Sequence, residues 1–86
     1  MKPPVRKIRT NLGLAQPEFG QLFGVHPMTV SRWERGELVP SPYQQALMAE
    51  FGKAATKSKV EEELKSLLFA AGVVAAIYFL LNLAKK

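Results

Sequence analysis

Met28, Thr29, Ser31, Arg32 and Arg35 lie on one face of a short stretch with helical periodicity, whose other face is apolar through Val30 and Trp33. Two hydroxyls, two guanidinium groups and a thioether equip the first face for hydrogen bonds and close contact with base edges and phosphate oxygens. They do not equip it for bond-making. The chain of 86 residues has no cysteine, no aspartate and one histidine, His26. Disulfides and thiolate metal sites are excluded, and the inventory for acid–base or nucleophilic catalysis is poor. The chain therefore reads as non-enzymatic, with no catalytic residue, metal, cofactor or small-molecule substrate.

Charge supports the same direction. The net charge is +5, and residues 1–58 carry eight Lys/Arg against four Glu while residues 59–86 carry four against three. The basic excess thus sits in the half that bears the polar-and-arginine face, as counterion release at phosphates favours. No apolar segment follows the basic start MKPPVRKIRT, so no secretory signal is expected and this half should stay in the cytoplasm.

The elements that must position that face are short and well punctuated. Val5 to Leu12 has apolar residues at helical spacing and ends at Gly13. Gln16 to Phe23 forms a second helix with Pro17 in its first turn and Phe19, Leu22 and Phe23 facing inward. Gly24 and Val25 make a tight turn, and a third helix runs from Pro27 to Arg35, stopping at Gly36. Two helices crossing steeply over so short a turn need a small residue at the crossing, and Gly20 fills it. Ser41-Pro42 opens a fourth helix that reaches about Phe51 and is expected to bury Tyr43, Ala46, Leu47 and Phe51. Residues 53–58 read as a polar linker between a 1–52 domain and a 59–86 tail.

Residues 5–52 resemble the lambda-repressor-like, Cro-type (XRE) helix-turn-helix family. The resemblance is carried by Ile8-Arg9, Leu12-Gly13-Leu14-Ala15-Gln16, Phe19-Gly20, Gly24-Val25 and Thr29-Val30-Ser31-Arg32-Trp33-Glu34-Arg35-Gly36. It implies an all-α, five-helix domain that binds double-stranded DNA, usually as a dimer. It implies base contacts from Met28 and Arg32, with Arg32 gripping guanine and Met28 touching a thymine methyl. Gln16, Thr29, Ser31 and Arg35 become phosphate or base contacts, and Arg9 with Glu34 a structural ion pair. The sequence departs from the family at Ala15 and His26, where hydroxyl caps are usual, and at the acidic loop Glu37-Leu38-Val39-Pro40. Losing a hydroxyl cap costs about 1 kcal/mol, so modest affinity per module is expected.

The tail poses a separate question. Leu67 to Ala84 is 18 residues without a charge, about 27 Å as one α-helix against a hydrocarbon core of roughly 30 Å. Heptad spacing can be drawn through Leu64, Leu67, Ala71, Val74, Tyr78 and Leu81, yet Phe69, Val73, Ile77, Phe79 and Leu80 make the other faces apolar too. Such a helix belongs in lipid or deep in protein. The expectation is one long C-terminal helix with a transmembrane segment over 66–84, tethering a cytoplasmic DNA reader to the inner membrane through lipid contact. Ala71-xxx-Ala75 and Gly72-xxx-Ala76 offer small-residue faces for helix–helix association in a homo-oligomer. Two rivals stay open. One is a soluble repressor or antitoxin whose apolar tail drives oligomerisation or partner binding. The other is a membrane-assembly interaction module that has lost DNA binding.

Overall fold

The computed structural model describes residues 3–57 and 60–85. Among them the chain is all-helical, with α1 (Val5–Asn11), α2 (Gln16–Phe23), α3 (Pro27–Arg35), α4 (Pro42–Lys57), α5 (Glu61–Ala70) and α6 (Val73–Ala84).

Local chemistry starts these helices even where hydroxyl caps are missing. At α2, Ala15 has no side-chain acceptor, but Glu18 Oε1 accepts the Ala15 N–H at 2.8 Å, making half of a capping box. At α3, His26 Nδ1 accepts the Met28 N–H at 3.0 Å. The imidazole thus does the work of a hydroxyl or carboxylate cap. At α4 the box is complete: Gln44 Oε1 accepts from Ser41 N–H at 2.8 Å and Ser41 Oγ from Gln44 N–H at 3.1 Å. The expected cap defects at Ala15 and His26 are therefore largely repaired.

Gly20 permits the α2–α3 crossing: a Cβ there would lie 2.7 Å from the Val25 carbonyl oxygen, and Val25 N–H in turn donates to the Gly20 carbonyl at 3.0 Å. Leu12, Phe19, Val30, Met48 and Phe51 are wholly buried where α1 to α4 meet. Phe23 links their aromatic groups, 4.9 Å from Phe19, 5.5 Å from Phe51 and edge-on to Trp33 at 5.8 Å between ring centroids.

Three expectations are corrected. The fourth helix does not stop at Phe51; it continues through residues 52–57, so most of the expected linker is helical, while its last residue Ser58 and the neighbouring Lys59 fall outside the described residues. Its inner face is Met48, Phe51 and Ala54, whereas Tyr43 and Ala46 are exposed. Phe51 is buried and Leu47 packs against the core as expected, so only Tyr43 and Ala46 were misplaced.

The third correction is the largest. The expected single C-terminal helix is two. Gly72 adopts φ 95° and ψ 179°, a conformation almost closed to residues with a Cβ, and it separates α5 from α6. The longer piece, α6, has 12 residues, about 18 Å against a hydrocarbon core of roughly 30 Å. Among the described residues no helix is long and apolar enough to cross a membrane. The span expected over 66–84 is therefore not a feature of this fold, and the lipid contact and tethering expected through it lose their support. The tail instead folds back: α6 packs on α4, α5 and α2, and Val60, Leu64, Ala76 and Leu80 join the same core at no more than 1% exposure. The helix-turn-helix itself is the protein mass that covers one side of the apolar tail. The small-residue faces are divided by the same break. Ala71 and Gly72 lie at the junction, and Ala76 is consumed by the chain's own core.

Candidate nucleic-acid interface

The inner face of α3 is tied down by packing and by charge. Val30 and Trp33 are buried, and the Glu34 side chain has no solvent exposure. Glu34 receives Arg9 Nε at 2.6 Å and Arg9 Nη2 at 3.2 Å, Gln16 Nε2 at 3.1 Å and Arg6 Nε at 3.2 Å. Arg9 Nη1 also donates to the Leu14 carbonyl at 2.9 Å. One carboxylate thus joins α1, the start of α2 and α3. Burial pushes the Glu34 carboxyl up, but the hydrogen bonds from Arg9, Gln16 and Arg6 outweigh it and hold its pKa below the usual carboxylate range. The sequence resemblance implied Arg9 with Glu34; Arg6 and Gln16 come to the same carboxylate only through the fold. Gln16 consequently commits one amide N–H to Glu34.

The outer face presents the residues from which base contacts are expected. Met28 is 53% exposed, and Arg32 is exposed and free of ion pairs and hydrogen bonds to any described residue. They sit one helical turn apart, with Thr29 and Ser31 half-buried beside them. The tail does not cover this face, because α6 lies against α4, α5 and α2. Exposed guanidinium and apolar groups on a helix held rigidly from behind match what a major groove receives.

The far end of the face holds a contact that spacing alone did not reveal. Gly36 (φ 76°) turns the chain, and Glu37 N–H donates back to the Arg32 carbonyl at 2.9 Å. Glu37 then meets Arg35 with both oxygens: Arg35 Nε to Oε2 at 2.7 Å and Nη2 to Oε1 at 3.3 Å. Arg35 Nη1 donates to Ser31 Oγ. The hydrogen bond from Arg35 holds the Glu37 carboxyl low against the opposing effect of burial, and the charges of Arg35 and Arg32 add to it. The signal was present in the sequence as an Arg-Gly-Glu step closing a helix. What it lacked was the turn geometry that brings the two side chains together.

A family profile described as helix-turn-helix matches residues 5–51, more than half of the chain. No curated protein and no solved structure matches it significantly. The matched stretch takes in α1 to α3 and most of α4, and with them every residue of the face just described. The chain belongs to the helix-turn-helix family of XRE-type, lambda-repressor-like DNA-binding domains.

Proposed function

We propose that this protein is a sequence-specific transcriptional regulator that places α3 in the major groove of duplex DNA. Arg32 grips guanine O6 and N7, Met28 packs on a thymine methyl, and Thr29, Ser31 and Arg35 contact phosphate or base edges. Gln16 adds a polar contact at the start of α2. The observation that carries this reading is an exposed Arg32, without a hydrogen bond or ion pair among the described residues, beside the exposed Met28 on a helix anchored from behind by Glu34 and Trp33. The test uses the full chain and a random pool of duplexes. Binding should weaken steeply with salt, by about 0.9 log units of affinity per log unit of salt for each phosphate contact. Repeated selection should enrich a short motif containing guanine. Salt-insensitive binding, or a pool that stays random after selection, removes the function.

Self-association belongs to the same proposal and rests on a different observation. Val74 and Tyr78, one turn apart on the outer face of α6, are 82% and 72% exposed. Contiguous exposed apolar side chains mark interaction surfaces, and pairing two modules raises their effective concentration on DNA. Sedimentation of wild type beside Tyr78→Lys reads it: a dimer that the lysine dissolves is expected, and a monomeric wild type discards this part.

A further inference from the structure

Arg35 directs three of its five N–H donors at partners inside the protein. Two go to the Glu37 carboxylate in a forked, side-on arrangement and one to Ser31 Oγ. That fork is the geometry in which arginine also receives a phosphate, whose oxygens present the same spacing and charge as a carboxylate. The site lies on the C-terminal turn of α3, on the side that carries Arg32, whose charge reaches Glu37. Ion pairs this exposed, at 46% and 53% for the two side chains, are weak enough in water for a stronger anion to exchange with. The sequence places no lysine or arginine in the following residues 37–40 that would replace the neutralised charge.

We infer that the Glu37 carboxylate occupies a phosphate subsite built by Arg35 and Ser31, acting as an internal competitor that a DNA backbone phosphate must displace. The inference rests on the proposed DNA-binding reading and adds a residue that sets affinity without reading sequence. Displacement breaks no covalent bond; the carboxylate rotates into solvent and the phosphate takes its two N–H donors. The competitor acts equally on every duplex, so discrimination remains with Arg32 and Met28.

The experiment compares full-length wild type, Glu37→Gln, Arg35→Gln and the double variant, each titrated with one random-sequence duplex and one selected duplex over a range of salt. All the altered side chains are exposed. Glu37→Gln should tighten binding to both duplexes by about two- to fivefold at low salt, the range an exposed pair can withhold. Its salt dependence should stay close to that of wild type, since the same phosphate is contacted in both once the carboxylate has moved aside. The gain should vanish in the double variant. Unchanged affinity in Glu37→Gln, or a gain that survives without Arg35, overturns the competitor. If neither wild type nor Glu37→Gln shows salt-sensitive binding to any duplex, the DNA-binding reading itself falls.

Discussion

Helices α3 and α6 are built alike and committed differently. Each buries one face in the common core, through Val30 and Trp33 in α3 and through Ala76 and Leu80 in α6. Each leaves the opposite face in water. On α3 that outer face carries two arginines, two hydroxyls and one methionine; on α6 it carries Val74 and Tyr78. The comparison teaches that the apolar content of a helix does not identify its surroundings. What decides is whether some other part of the chain offers it a complementary face. Here α2 and α4 offer one to α6, and a tail that looks suited to lipid becomes part of the domain's foundation.

The sharpest way to break this comparison is to remove the inner anchor of α6. Leu80 is fully buried, so Leu80→Ala should lower the free energy of unfolding by about 2–5 kcal/mol. Denaturation in urea measures it. A change within about 0.5 kcal/mol, the scale of surface substitutions, means that α6 does not share the core. For the same reason, a fragment ending at residue 58 should fold poorly, since it strips Val60, Leu64, Ala76 and Leu80 from the interior.

Next in size is the inner anchor of α3. Glu34→Ala leaves Arg9, only 14% exposed, beside an empty site, and should cost about 3 kcal/mol. The pH dependence has a defined sign. Because the folded pKa of Glu34 lies below its unfolded value, the stabilisation is complete above the ordinary carboxylate range. It is lost as pH falls through the lower, folded pKa. Glu34→Gln should lose this part of the acid sensitivity, seen as a flatter stability profile on the acid side of that range. An identical profile would mean that the buried carboxylate does not titrate with folding.

The junction of α5 and α6 comes third. Gly72→Ala forces a Cβ into φ 95° and should cost about 1–3 kcal/mol. Helical content by circular dichroism distinguishes a strained junction, which leaves it unchanged, from a tail that straightens into one helix, which raises it. The smallest effect on stability, within about 0.5 kcal/mol, belongs to Arg32→Ala. That variant should instead forfeit about 1–3 kcal/mol of discrimination between the selected and random duplexes. A loss of stability in its place would move Arg32 to the structural side of the comparison.

How much of this was legible without coordinates follows from where the determining interactions lie. Helices α1 to α3 could be read because their ends are written locally, in Pro17, Gly24, Pro27 and Gly36. The exposed face of α3 could be placed because α3 is short and its apolar residues fix its phase. In α4 Leu47 and Phe51 face the core as expected, but Tyr43 and Ala46 fit the periodicity as well as Met48 and Ala54 do, and only the positions of α1 and α6 decide between them. The tail was misread because the break depends on one glycine in a run that helices also tolerate. Its burial depends on residues that lie far away in sequence. The Glu37–Arg35 fork was missed for the opposite reason: it is local, yet it exists only once Gly36 has turned the chain.

The surface that meets DNA is the central claim, and amide chemical-shift mapping of the full-length protein with a selected duplex addresses it most directly. The account predicts perturbations centred on Met28, Thr29, Ser31, Arg32 and Arg35, extending to Gln16 and Glu37, while the amides of α6 stay in place. Perturbations centred on Val74 and Tyr78, with α3 unmoved, would contradict it.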